Sequence, residues 1–264
     1  QGTEDWAGGQ SIHSQGFKPS RIEFIHTLNH SRSGVPVVPR RLLPLSIKTR
    51  LGFDCVVVER WVEHLLAARP AAITLHGRTL QQMYRGAADW SAIAEAAKLA
   101  HGTGTLMLGN GDLNTLVDAI RRAAESKVQG VLVGRGTLGS PWFFREKEQA
   151  RRAFSEWDDL STLPATAWEP QVSVNHRMQV MLDHARQYEA IAGLERFRSI
   201  RKHLGWYCKG FPHAAAMRGK MFGASNVQDV ERIVAEFCQE LMQAERDASA
   251  PTPLAAQTSS VSAA

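Results

Sequence analysis

Four short apolar runs follow one another between residues 45 and 136, and each ends in polar or glycine residues. They are Leu-Ser-Ile-Lys-Thr-Arg-Leu-Gly (45–52), Ile-Thr-Leu-His-Gly-Arg-Thr (73–79), Leu-Met-Leu-Gly-Asn-Gly-Asp (106–112) and Val-Leu-Val-Gly-Arg-Gly (131–136). Each starts as a strand-type run, and helix-compatible sequence separates them at roughly 25–35-residue spacing, as repeated β-α units require. α/β folds place their chemistry on polar groups at the C-terminal ends of parallel strands. The series therefore predicts an α/β fold and the face on which a site would sit.

Composition supports a soluble globular protein: 264 residues, 44% hydrophobic and 22% charged, enough for one large domain or two ordinary ones. No apolar run approaches the roughly 20 residues of a membrane span, so no membrane partner is expected. The N-terminal Gln-Gly-Thr-Glu-Asp-Trp has neither the basic start nor the apolar stretch of a signal peptide, and its lack of an initiator Met suggests a fragment or a processed chain. Cys55, Cys208 and Cys238 are odd in number and widely spaced, which argues against a disulfide framework and a zinc site and for a reducing, cytoplasmic setting. A net charge of +5 permits a nucleic-acid partner without demanding one.

The chain divides on composition and periodicity. Residues 1–42 form an N-terminal segment, poorly ordered to about residue 20, followed by a helix over 21–32 with Ile22, Phe24, Ile25 and Leu28 at helical spacing. Gly34 and prolines 36, 39 and 44 close that helix. Residues 43–154 hold the β-α series, with helices expected over 55–68, 88–100 (N-cap Asp89) and 113–126 (opened by Asp112 or Asn114). Gly139-Ser-Pro-Trp-Phe-Phe is expected to start a further helix, Pro141 suiting its first turn. Residues 155–171 read as a linker. Residues 172–247 read as a helical domain broken at Gly193, Gly210-Phe-Pro212 and Gly223. The Ala/Ser/Thr/Pro-rich stretch 248–264 reads as a disordered tail.

The strand ends carry the candidate chemistry. Alternation puts Ser46, Lys48 and Arg50 on one side of the first strand and Leu45, Ile47 and Leu51 on the other, toward covering helices. Lys48 then points inward, where it needs an anionic or electron-rich partner. A cofactor would serve, and so would an internal carboxylate. His76 ends the second strand beside Gly77, with Arg78 at the rim; a structural and a functional histidine are both open readings. Gly109-Asn-Gly-Asp112 and Gly134-Arg-Gly136 end the next two strands. Glycines there let backbone N–H groups face a ligand, and a phosphate site in the loops after the last two strands recurs in (β/α)₈ barrels. Arg135 would add a charge-assisted contact.

These segments in this order, with Val-Gly-Arg-Gly-Thr-Leu-Gly-Ser-Pro-Trp-Phe-Phe (133–144), Gln-Gln-Met-Tyr-Arg-Gly-Ala-Ala-Asp-Trp (81–90) and Arg-Lys-His-Leu-Gly-Trp-Tyr (201–207), resemble the C-terminal half of a tRNA-dihydrouridine synthase. The bacterial B-like branch is nearest in pattern, and the likeness covers roughly residues 42–240. The resemblance implies a partial (β/α)₈ TIM barrel, with strands equivalent to five to eight, followed by a small helical domain that helps hold tRNA. It implies FMN as cofactor, NADPH as reductant, and reduction of the C5=C6 bond of a flipped-out uridine in tRNA. By motif matching, Lys48, His76, Asn110, Gly111, Asp112, Gly134 and Arg135 are the FMN-binding candidates. Arg78, at the second strand's rim, and Arg198, Arg201 and Lys202 are the RNA-binding candidates, the last three within a basic region of the helical domain that also holds Arg196, Lys209, Arg218 and Lys220. Trp206 in that region reads as a core residue rather than a base-stacking platform.

The sequence departs from the family in two respects, a missing cysteine segment and missing early strands. The family's proton-donating cysteine sits in an Asn-x-Gly-Cys-Pro segment, and the 264 residues contain none, so no catalytic residue is assigned and the chain alone is expected to be inactive. Four strands of eight also leave two open edges and an uncovered face, so low stability or self-association is expected. A non-catalytic RNA-binding fragment and another FMN barrel oxidoreductase acting on a small molecule remain alternatives.

Overall fold

The structure is a computed structural model that describes residues 2–31, 41–156, 162–164 and 166–249. Gly34, Pro36, Pro39, most of the tail 248–264 and part of the linker 155–171 lie outside the described residues. Two compact units emerge: residues 1–136 with 147–168, and residues 137–146 with 169–264.

The first unit is an α/β fold. Strands β1 (Ser46–Arg50), β2 (Ala72–His76), β3 (Leu106–Asn110) and β4 (Gly130–Leu132) form a parallel sheet in the order β1-β2-β3-β4. Helices α3 (Val58–Leu66), α4 (Trp90–Ala100) and α5 (Leu116–Ser126) make the crossovers that parallel neighbours require. Ile73, Leu75 and Met107 of the strands pack with Val62, Ile93 and Ala96 of the helices, all fully buried. At roughly 25 cal/mol per Å² of apolar surface, each large side chain buried this way contributes about 1.5–3 kcal/mol.

Local signals set the helix starts. The Asp89 carboxylate accepts from Ala92 N and caps α4 as expected. Helix α5 is opened by Thr115, not by Asp112 or Asn114: the Thr115 hydroxyl accepts from Asp118 N while the Asp118 carboxylate accepts from Thr115 N, a reciprocal pair. Asp112 is thereby left for other contacts.

The N-terminal segment differs from expectation. Residues 2–7 form α1 (Gly2–Ala7), with Glu4 and Asp5 in its first turn, where acidic side chains favour a helix start. Helix α2 (Pro19–His30) covers the expected span, yet Phe24 and Leu28 are about half exposed, so its apolar residues do not form a buried face. Leu45, assigned to the helix-covered side of β1, is also about half exposed.

The second unit contains α7 (Val174–Ala192), α8 (Arg201–Tyr207), α9 (Ala214–Gly223) and α10 (Val227–Ser249), with a 3₁₀ segment over Leu194–Ile200. Its core gathers Met178, Met181, Phe197, Ile200, Leu204, Met221 and Val230. Trp142 is buried in the same core, which draws residues 137–146 into this unit rather than into the 43–154 segment. The expected helix at 139 is a run of turns: Phe143 N donates to Ser140 O and Arg145 N to Trp142 O, and a helix, α6 (Lys147–Glu156), begins only afterwards, in the first unit. No helix among the described residues is long and apolar enough to cross a membrane.

Candidate functional site

Parallel register aligns one residue from each strand across the sheet. Arg50 stands opposite His76, His76 opposite Asn110, and Asn110 opposite Leu132. Partners at one register position share a face, so these four form a row near the C-terminal ends. A cavity of about 200 Å³ lies against the row, lined by all seven cofactor-site candidates: Lys48, His76, Asn110, Gly111, Asp112, Gly134 and Arg135. Arg50, Tyr84, Leu113, Asn114 and Leu132 complete its wall.

Asp112 organises this wall. Its Oδ2 accepts from Arg78 Nη2 at 2.6 Å and from Ala88 N at 2.8 Å, and its Oδ1 accepts from Arg135 Nη2 at 3.1 Å. Burial pushes the Asp112 carboxyl up, but hydrogen bonds from Arg78 and Ala88 and the two arginine charges outweigh it and hold the group below its ordinary value. Arg135 is further held by Tyr84, whose ring centroid lies 4.8 Å from the guanidinium carbon. Asn110 Nδ2 donates to Leu132 O at 2.8 Å and ties the end of β3 to β4.

Arg78 does not stand at the rim as expected. It is 2% exposed, and its guanidinium donates to Gly86 O through Nε and Nη2 and to Asp112. A polyanion cannot reach it; its charge fixes Asp112 and the loop after β2.

His76 is buried at the centre of the row. Burial comes first, followed by the charges of Arg50, Lys48 and Arg78, in pushing its pKa down to about 4; Asp112 opposes them weakly. The ring is therefore neutral at neutral pH. Its Nε2 lies 3.5 Å from Arg78 Nη1, which can only donate, so Nε2 is the acceptor and the proton sits on Nδ1. Lys48 lines the cavity but is exposed rather than buried, so the argument that it requires an internal partner falls away.

The glycines do two different things. A Cβ on Gly109 would lie 2.4 Å from the Trp90 ring, and one on Gly111 would lie 2.5 Å from Ala88 Cβ. Gly111 also has φ +136°, and its carbonyl accepts from Trp90 Nε1. Both glycines serve packing against the residues that lead into α4; Gly111 also lines the cavity, and Gly109 does not. Gly134 has open space where a Cβ would stand, on the cavity wall.

Beside this cavity runs a groove of about 600 Å³ along β1, lined by Lys48, Thr49 and Arg50 and by Phe53, Val57, Trp61 and Leu80. Arg50 and Tyr84 were not singled out by sequence. Arg50 carries a findable signal, since it shares a strand side with Lys48; Tyr84 arrives from a loop and carries none.

In the second unit Arg198 and Lys202 are exposed. Arg201 instead donates through Nε to Ala224 O at 2.5 Å and through Nη2 to Ser225 Oγ, holding the end of α9. Lys220 is paired with Glu236 and Glu240. Trp206 is half-buried, its ring edge-on to His203. Cys208 is buried, and burial raises its thiol to about 11; Cys55 is exposed and does not line the cavity. Among the described residues, no group of three or more His, Cys, Asp or Glu side chains gathers for a metal ion.

Comparison with known proteins follows the same residues. The chain is 34% identical to the Synechocystis sp. protein named "Probable tRNA-dihydrouridine synthase 1" over 189 residues, 71% of this chain and 49% of that protein. It is 33% identical to a "Probable tRNA-dihydrouridine synthase" of Mycobacterium leprae (68% and 44% covered) and 35% identical to one of Rhodobacter capsulatus (70% and 52%). The chain spans about half the length of the curated relatives it matches. The dihydrouridine synthase (Dus) profile matches residues 31–246, which takes in the sheet, the cavity and the helical unit, and on that match the chain belongs to the dihydrouridine synthase family.

Proposed function

We propose that this chain is the C-terminal half of a tRNA-dihydrouridine synthase catalytic region and supplies the phosphate-binding side of an FMN site together with a tRNA-binding helical unit. One observation carries the reading: seven residues drawn from four strand ends line one cavity. The sheet then corresponds to strands five to eight of a (β/α)₈ barrel. The unbroken parallel order supports this, as do the exposed Phe53 and Val57 in the groove along β1, whose outer edge pairs with no strand among the described residues and which a further strand and helix would cover.

The donor set fits a phosphorylated flavin. Lys48, Arg50 and Arg135 put positive charge on one wall, and Gly134 leaves space for backbone approach. Asp112 would repel a phosphate; its part is to hold Arg135 in place. A volume of about 200 Å³ suits a phosphate and its nearest carbons, against the roughly 300–1,000 Å³ of a pocket for a whole small ligand. The remainder of the flavin would lie toward the groove that shares Lys48 and Arg50. On the cavity wall His76 offers a neutral ring with an Nδ1–H donor.

Bound FMN, once reduced by NADPH, would supply the hydride to C6 of the C5=C6 bond of a uridine in tRNA. The chain's own residues would bind and orient the cofactor and the RNA, and Asn-x-Gly-Cys-Pro, the segment whose cysteine would deliver the proton to C5, does not occur in its 264 residues. The test is to incubate the chain with undermodified tRNA, FMN and NADPH, then quantify dihydrouridine by mass. The proposal predicts tRNA binding without product. Dihydrouridine formed by the chain alone would contradict the proposed division of labour, and a folded chain that ignores tRNA would contradict the RNA role.

A further inference from the structure

Three cations of the helical unit gather where the turn at Leu138 and Gly139 meets the end of α8, and none of them is paired with an acid among the described residues. Lys209 Nζ donates to Leu138 O at 2.9 Å, Arg177 Nη1 to the neighbouring Gly139 O at 3.4 Å, and Arg218 Nη2 to Cys208 O at 2.5 Å. Carbonyls of successive residues, Leu138 and Gly139, hold the first two. The turn itself is fixed. Gly139 has φ +69°, and a Cβ there would stand 2.0 Å from Trp206 O, so the turn is seated directly on the end of α8. Arg177 is half-buried, its guanidinium carbon 5.0 Å from the centroid of Trp142, which is buried in the same core.

The cluster stands out by what it lacks. Among the described residues no carboxylate pairs with Arg177, Lys209 or Arg218, whereas Arg186, Lys220 and Arg232 of the same unit each have two. The like charges strain one another: burial, then Arg177 and Arg218, hold the Lys209 ammonium below its ordinary value, and burial lowers Arg177. Each cation donates to one carbonyl and keeps further N–H groups that the described residues do not engage. Lys209 and Arg218 are exposed, so a ligand can reach them. Uncompensated, buttressed positive charge of this kind is suited to an anion with several acceptor oxygens, which would relieve the repulsion and take the remaining donors.

We propose that Arg177, Lys209 and Arg218 form a phosphodiester-binding subsite for the RNA backbone. This rests on the tRNA reading above and names the residues of the helical unit that grip the phosphate. It also reassigns the contact from Arg201, which holds the end of α9.

The experiment is tRNA binding by the full chain, followed by fluorescence anisotropy across a salt series. Lys209→Gln and Arg218→Gln are compared with Lys220→Gln, which removes the same charge from a site that already has two carboxylates. Lys209→Gln and Arg218→Gln should each weaken binding on the order of fivefold and lower the slope of log K against log salt by about 0.7–0.9. Lys220→Gln should change neither, and Lys209→Arg should restore binding. Circular dichroism melts establish that each variant folds. If the wild-type chain binds tRNA but Lys209→Gln and Arg218→Gln match Lys220→Gln, the subsite is wrong and the tRNA reading stands. If the wild-type chain binds no tRNA, the tRNA reading fails and the subsite with it. Inorganic phosphate at matched ionic strength is the second arm. Saturable phosphate binding abolished by Lys209→Gln, with tRNA binding unaffected by that substitution, would assign the cluster to a free anion and overturn the RNA assignment.

Discussion

Replacing Asp112 with asparagine isolates the contact that organises the cavity wall. Asparagine keeps the size of the side chain and removes the charge that faces Arg78 and Arg135. The Arg78 side chain is 3% exposed, so its guanidinium would be left buried without a counter-charge, although it keeps Gly86 O. Breaking a buried pair from one side costs about 3–5 kcal/mol; because the Asp112 side chain is 32% exposed, water compensates in part and about 2–3 kcal/mol is the expected loss. The contact to Arg135, 56% exposed, adds roughly 0–1 kcal/mol. The two units need not unfold together, so one global transition is the wrong observable. Hydrogen exchange in the segments around Ala88 and Asp112, read across a urea series, reports the loss locally. The effect must also depend on pH with a definite sign. The folded Asp112 value lies below its ordinary 3.8, so its stabilisation is present above 3.8 and disappears as pH falls through the folded value. Wild type and Asp112→Asn should therefore converge in acid. A neutral-pH difference of about 0.5 kcal/mol or less, the size of an ordinary surface change, would show that Asp112 does not hold the wall together.

His76 should titrate near 4, against 6.5 for an unperturbed ring, in an NMR pH series of its ring protons; a midpoint near 6.5 would remove the neutral-ring assignment. Because the unfolded state takes the proton first, stability contributed by neutral His76 above pH 6.5 should fall progressively toward pH 4, and His76→Gln should flatten that dependence. Gly109→Ala, which drives a Cβ toward the Trp90 ring, should destabilise the first unit by about 1–3 kcal/mol in chemical denaturation. Gly134→Ala meets open space and should leave stability within about 0.5 kcal/mol while weakening flavin binding; equal effects of the two alanines would erase the distinction between packing and ligand glycines.

The strands and their order were legible because each apolar run is short and ends in residues that stop it. Parallel register then brought His76 and Asn110 into one row without further information. Arg50 belonged to the same pattern as Lys48, two residues away, and attention to charge on that strand side would have found it. What the sequence hid were partnerships across distance. Arg78 and Asp112 are separated by 34 residues, and nothing local says that one buries its charge against the other. The glycines of Gly109-Asn-Gly111 looked open to a ligand, but what they face is Trp90 and Ala88, supplied by another β-α unit. The Thr115 cap was overshadowed by more polar neighbours, although a threonine three residues before Asp118 is itself a helix-start pattern. Trp142 read as part of a helix because Pro141 suits a first helical turn; burial in the helical unit, rather than local propensity, decides where that segment goes.

The most direct measurement is a titration of the folded chain with FMN and, separately, with riboflavin, followed by quenching of flavin fluorescence. The two ligands differ by the phosphate, which is the group that Lys48, Arg135 and Gly134 are assigned to hold. The account predicts saturable FMN binding, much weaker riboflavin binding, and loss of the difference in the Lys48→Ala/Arg135→Ala chain. Equal affinity for the two flavins, or no saturable FMN binding by a chain shown to be folded, would contradict the claim that these strand ends form a phosphate site.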